Sequence, residues 1–166
     1  MLVLQIRLKV RAPTFFHFGC GFAALDNCTF KRPFDTQERV EVKFEAEAKI
    51  HIQDKIRKGA LVHVWSYILE FENAINPFPV RKLAILQWKR IAKYNVIETE
   101  KIVKKAVELQ NAGLKSKDAL HIACAIEAKA DYFITTDKTI LKKLKDYKEI
   151  SVVDPVSFLM APEGSQ

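Results

Sequence analysis

The chain has 166 residues, 49% of them hydrophobic and 28% charged, with a formal net charge of +7. That length forms one domain with a core large enough to need no disulfide or structural metal, and the composition is that of an ordinary soluble globular protein. The positive charge permits a polyanionic partner, while the lack of any run approaching roughly eighteen apolar residues argues against a membrane span.

Residues 1–10 are apolar but interrupted by Arg7 and Lys9, with no small-residue cleavage site. They do not read as a signal peptide, and the expected location is cytoplasmic. Residues 1–21 read as an N-terminal extension, with a candidate strand at 2–10 ahead of the break Gly19-Cys20-Gly21. Residues 22–25 are predicted to be a strand ending at Asp26, and Arg32-Pro33-Phe34-Asp35 is a turn. Residues 38–58 carry two periods at once. Val40, Val42, Phe44, Ala46, Ala48, Ile50 and Ile52 alternate as in a strand, whereas Val40, Phe44, Ala48, Ile52 and Ile56 form an i,i+4 row. The stretch is long for a strand and rich in Glu, Lys and Ala, so a helix is predicted, stopped by Gly59.

A second strand is predicted at 61–65, after which Ser66 can cap a helix running to about residue 76, where Pro77 stops it. The next helix, at 80–93, has Val80, Leu83, Ala84, Trp88, Ile91 and Ala92 on its expected buried side. A short strand at 95–97 leads to a helix at 100–111, with the stripe Ile102, Val103, Ala106, Val107 and Leu109 and a C-terminal turn at Gly113. A helix at 117–130, a strand at 132–135, a short helix at 139–144 and a last strand at 150–153 before Asp154-Pro155 complete the pattern. Strands alternating with helices predict an α/β fold, a three-layer helix–sheet–helix sandwich around a mostly parallel sheet. Residues 22–159 form this domain and residues 160–166 a tail. Ligands of such sheets bind at the carboxyl ends of the strands, near a switch in strand order.

Cys20, Cys28 and Cys124, and His17, His51, His63 and His121, show no zinc-ligand spacing and read as free thiols and structural or surface histidines. The lysines at 138, 142, 143 and 145 read as a solvated helix face. No G-x-G-x-x-G or P-loop is present for a nucleotide cofactor.

The carboxylates carry more. Asp26 and Asp137 each follow a predicted strand, at the sheet edge where a site is expected, although Asp137 also suits the cap of the following helix. Glu72 shares a helix face with Ile68, Leu69, Ile75 and Asn76, unlike Glu70, whose neighbours are Ser66, Tyr67, Asn73 and Ala74. Asp118 opens a helix beside His121 and Ile122, where the helix dipole alone would favour an acid. Converging carboxylates repel, and a hard divalent cation such as Mg²⁺ or Mn²⁺ removes the conflict. Such a cation can also activate water and offset charge developing at a phosphoryl centre.

The run Leu25-Asp26-Asn27-Cys28-Thr29-Phe30-Lys31-Arg32-Pro33-Phe34-Asp35 resembles the opening of a subgroup of PIN-domain proteins, in which Asp-Asn-Cys or a close variant precedes an Arg-Pro-Phe-Asp turn. Asp118-Ala119-Leu120-His121-Ile122-Ala123 and Ala130-Asp131-Tyr132-Phe133-Ile134-Thr135-Thr136-Asp137 look like the third and fourth acidic motifs of that family, and Ser66 to Glu72 has the spacing of the second. The resemblance runs from about residue 22 to residue 159. It implies a metal-dependent ribonuclease, often the toxin half of a type II toxin–antitoxin pair. By it, Asp26, Glu72, Asp118 and Asp137 are the catalytic, metal-binding acids, Mg²⁺ or Mn²⁺ is the cofactor, and Thr135 is a hydroxyl that orients the site. RNA is the implied substrate, an antitoxin the implied protein partner, and a homodimer the implied assembly. Asp131 competes for the fourth acidic place but precedes its strand, at the opposite sheet edge. Family members begin a few residues before the first Asp, whereas twenty-five residues precede Asp26 here.

Two other readings stay open. One is a catalytically silent PIN module that binds RNA or a protein. The other is a small-molecule phosphohydrolase, which would turn over a phosphomonoester without RNA.

Overall fold

Runs of small, β-branched and aromatic residues become five short strands: β1 (Gly21–Leu25), β2 (Leu61–Ser66), β3 (Tyr94–Val96), β4 (Tyr132–Ile134) and β5 (Ser151–Val153). The computed structural model describes residues 21–26, 29–30 and 40–161. The candidate strand at 2–10, the turn Arg32-Pro33-Phe34-Asp35 and the residues Asn27 and Cys28 lie outside them, as do residues 162–166. All strand pairings are parallel, in the order β3-β2-β1-β4-β5. The helices with bounds among the described residues are α1 (Val40–Arg57), α2 (Tyr67–Ala74), α3 (Pro79–Ile91), α4 (Glu100–Asn111), α5 (Ser116–Glu127) and α6 (Lys138–Lys143), with α7 (Pro155–Met160) after the last strand, and Thr29 and Phe30 are helical too. This is the expected helix–sheet–helix sandwich.

Alternation along the strands divides the core in two. Ala24, Val64 and Phe133 pack with α4, α5 and α6 through Ile102, Leu109, Ile122 and Ile140. Ala23, Leu25, Leu61, Trp65 and Ile134 pack on the other face with Ile52 and Ile56 of α1, Ile85 and Trp88 of α3, and Phe158 of α7. The chain steps outward from β1 through β2 to β3, then returns to place β4 on the other side of β1. The strand order therefore reverses between β1 and β4, and the crevice at their carboxyl ends is the switch point.

Within the predicted stretch, Val40–Arg57 is a helix, and the two glycines expected to end helices do so. At Gly59 (φ +75°) and Gly113 (φ +97°) the chain turns left-handed. Gly59 N donates to Ile56 O and Ala60 N to Lys55 O, closing a Schellman motif, and Gly113 with Leu114 repeats it on α4. Lys129 (φ 55°) plays the same part after α5 without being glycine.

Two helix faces differ from expectation. In α1 only the end of the i,i+4 row is buried, at Ala48, Ile52 and Ile56, while Val40 and Phe44 are 67% and 60% exposed. Eighteen residues of helix span about 27 Å, more than the roughly 17–20 Å of strands this short, so the first turns overrun the sheet. In α3, Val80 and Leu83 are 75% and 64% exposed and Ile91 is exposed too. Trp88 is buried as expected, with Ala84 and Ala92 half-buried, but Ile85, absent from the expected stripe, is the other buried residue, and Arg81 is half-buried beside it in the row. Helix α7 was not expected at all. Pro155 sits at its first position and Asp154 caps it, Oδ1 accepting from Val156 N (3.0 Å) and Ser157 N (2.9 Å). Asp-Pro starts a helix here, where it had been read as a strand end.

His63 of β2 is buried against Phe30 and Trp65, and among the described residues neither ring nitrogen has a hydrogen-bond partner. Burial lowers its pKa from 6.5 to about 4. The unfolded chain therefore binds a proton more readily between those values, and stability present above the unfolded pKa falls as pH drops through 6.5 towards 4. The loss should approach about 3 kcal/mol. Denaturant titrations at neutral and acid pH should show this slope in the wild type and a flatter one in His63→Leu. An equal slope in both would assign the acid sensitivity elsewhere.

Candidate active site

Asp26 directly follows β1, and its backbone N donates to Ile134 O of β4 (3.1 Å). Thr135 follows β4 and is fully buried, donating from Oγ1 to Asp26 Oδ2 (2.8 Å). The same Oγ1 accepts from Asp137 N (3.0 Å), so one hydroxyl ties the ends of both central strands. Thr29, also buried, donates from Oγ1 to Ile134 O (3.3 Å) below them.

Asp137 is the N-cap of α6. Its Oδ1 accepts from Thr139 N (2.7 Å) and Ile140 N (3.3 Å), so the cap expected from the sequence is real and occupies one carboxylate oxygen. Asp118 lies in the first turn of α5. Burial raises its carboxyl above the ordinary range, and the negative charges of Asp137 and then Asp26 push it further, against the opposing pull of His121 and Lys115. Three of the expected acids thus act on one another across the switch-point crevice.

Glu72 reaches α5 from α2. Its Oε2 lies 3.2 Å from His121 Nε2, and its Oε1 lies 3.7 Å from Lys117 Nζ. His121, three residues after Asp118 and therefore on the same helix face, links Glu72 to the other acids. The sequence reading placed His121 beside Asp118 but gave it no role. Spacing on the helix was the available signal; what it lacked was the knowledge that α2 packs opposite. Glu70, by contrast, faces outward and pairs with Lys89 (2.6 Å). Asp131 lies at the amino end of β4, accepting from Phe22 N (2.8 Å) at the opposite edge of the sheet, as its position in the sequence implies.

Among the described residues, no three His, Cys, Asp or Glu side chains are grouped as a metal ion would need. The acids share an electric field rather than a closed ligand set. Their chemistry suits a hard divalent cation: oxygen donors only, half-buried, with more negative charge than the nearby cations offset at Asp118.

No helix among the described residues is long and apolar enough to cross a membrane. Curated proteins gave no match to the sequence. Among solved structures, the chain is similar to VapBC2 from Rickettsia felis bound to a DNA fragment from their promoter, at 12% identity and a TM-score of 0.49, covering 80% of this chain and 98% of that one. Residues 66–146 match the family model of the PIN domain, a segment that holds Glu72, Asp118, Thr135 and Asp137. PIN domains are generally nucleases. Over residues 66–146, just under half of its length, the chain is similar to the PIN domain, and its parallel five-stranded sheet lies between helix layers.

Proposed function

We propose that the protein is a divalent-metal-dependent endoribonuclease that hydrolyses RNA phosphodiesters at the crevice between β1 and β4. What supports this reading is the gathering of Asp26 and Asp137 on the Thr135 hydroxyl, beside an Asp118 carboxyl raised by burial and then by the charges of Asp137 and Asp26. Asp26, Asp118 and Asp137 would hold Mg²⁺ or Mn²⁺, with Glu72 completing the acids from α2. The cation, when bound, would offset their charge, activate the attacking water and stabilise charge developing on the phosphoryl oxygens. Thr135 fixes Asp26, and the first amides of α6 fix Asp137, so both acids are oriented before anything binds. His121 holds Glu72 from the α5 side. RNA as the polymer agrees with the net charge of +7. The cytoplasm follows from the reading of residues 1–10, and an antitoxin partner and a homodimer from the sequence resemblance.

A catalytically silent PIN module is the competing reading. It is favoured by the engagement of Asp137 in a helix cap and of Glu72 with His121 and Lys117, which gives both acids a structural role of their own. A mixed RNA pool incubated with the full chain in Mn²⁺, and again in EDTA, separates the two. Cleavage in Mn²⁺ that stops in EDTA is expected. No cleavage, together with no thermal stabilisation by Mn²⁺, would establish the silent module.

A further inference from the structure

Beside the acids, and sharing Glu72 with them, lies a groove of about 240 Å³ lined by Glu72, Ile75, Asn76, Phe78, Arg81 and Lys117. We infer that it is a nucleotide subsite for single-stranded RNA, with Phe78 as the stacking platform for one base and Arg81 and Lys117 as the cations for its phosphate. The inference rests on the nuclease reading for its substrate class but on separate residues for its evidence.

Phe78 lies in the link between α2 and α3 and is 54% exposed. Its position is nevertheless held firmly. Pro77 and Pro79 flank it, and Asn76 Oδ1 accepts from Phe78 N (3.1 Å). The two helices on either side are clamped by Asn73 Nδ2 donating to Lys82 O (3.0 Å) and Lys82 Nζ donating to Ala74 O (2.8 Å). The Arg81 guanidinium carbon lies over one face of the Phe78 ring, 4.8 Å from its centroid, so a base would stack on the opposite face. A ring held in place costs little to order on binding. Base stacking on it is sequence-tolerant, as a groove with a single aromatic and few convergent polar groups requires. Among the described lining residues Arg81 and Lys117 are the cations, Lys117 Nζ lying 3.7 Å from Glu72 Oε1. The volume is below the roughly 300–1,000 Å³ of sites for drug-sized molecules and suits one base, not a folded segment. An A-form duplex would not offer a base face here, so single strands are the substrate class.

The test is binding of a short fluorescent single-stranded RNA to the full chain in EDTA, where no cutting occurs, followed by cleavage of the same RNA in Mn²⁺. Phe78→Ala should weaken binding by roughly tenfold or more, and Phe78→Trp should retain it with quenching of the new indole on binding. Arg81→Gln should lower the slope of log affinity against log salt by about 0.7. Duplex RNA should bind more weakly than the single strand and be indifferent to Phe78→Ala. A wild type that binds through Phe78 yet never cuts would sink the nuclease and leave the subsite standing. A wild type that cuts, with a folded Phe78→Ala protein matching its affinity, would sink the subsite and leave the nuclease standing. A change in solution mass in Phe78→Ala with unchanged RNA affinity would overturn the subsite in favour of a self-association surface.

Discussion

Asp118→Asn should cut RNA on the order of a hundredfold more slowly, or worse, while its metal-free form melts slightly higher than the wild type. The substitution keeps size and removes one negative charge from a place where burial, Asp137 and Asp26 already oppose ionisation. The folded pKa lies above the ordinary 3.8, so the native state favours the protonated carboxyl. That contribution is fully present below the unfolded pKa and is lost as pH rises through the raised folded value. Asn abolishes the loss, so the variant and wild type should converge at acid pH and separate at neutral pH, by about 0.5–1 kcal/mol, given the worth of like-charge contacts, or about 2 °C. Mn²⁺ should raise the melting temperature of the wild type and leave the variant nearly unmoved. If Asp118 merely complemented the helix dipole, Asn would instead cost about 0.3–1 kcal/mol and leave cleavage intact. Thermal melts with and without Mn²⁺, beside cleavage of a mixed RNA pool, separate the two outcomes.

Thr135→Val should damage both stability and activity, for one reason. Valine fills the same buried space but deletes the hydroxyl that donates to Asp26 Oδ2 and accepts from Asp137 N. The Asp137 N–H then loses its acceptor and the Asp26 carboxylate a donor, at a cost of about 1–3 kcal/mol, or about 3–10 °C in melting temperature. Both acids lose the group that orients them, so cleavage should fall by about 10–100-fold. Thr135→Ser keeps the hydroxyl and should recover most of the activity even if the missing methyl lowers the melting point. A Thr135→Val protein that cuts normally would show that the acids hold their places unaided.

What the sequence disclosed follows from how local each signal is. Helix α4 was readable from its apolar stripe and from Gly113, which ends it by its own chemistry, whereas Thr99, whose side chain caps its start, carried no part of the reading. Strands β1 and β4 were readable as apolar runs, and the placing of Asp26 and Asp137 at their ends came with them. Which face of α3 packs was not readable, because its apolar residues outnumber the positions one helix face can bury, and only the location of β2 decides for Ile85 and Trp88. The pairing of Glu72 with His121 joins residues 49 apart in the chain, and no local pattern encodes that. Asp137 is instructive in a different way. Cap and candidate metal acid were weighed as rivals, yet the cap uses Oδ1 and so limits the carboxylate's orientation without removing it from the crevice.

The hydroxyl that joins the two halves of the crevice spans 109 residues of chain, from Thr135 back to Asp26. A ribosome makes β1 first but cannot complete the central pairing until β4 has emerged, because strands so far apart close only after everything between them exists. While the message is being read, the growing chain carries its first acid on a strand with one open edge. The crevice forms only once β4 has been made, so under the proposed nuclease function the growing chain would leave the RNA that encodes it uncut until then.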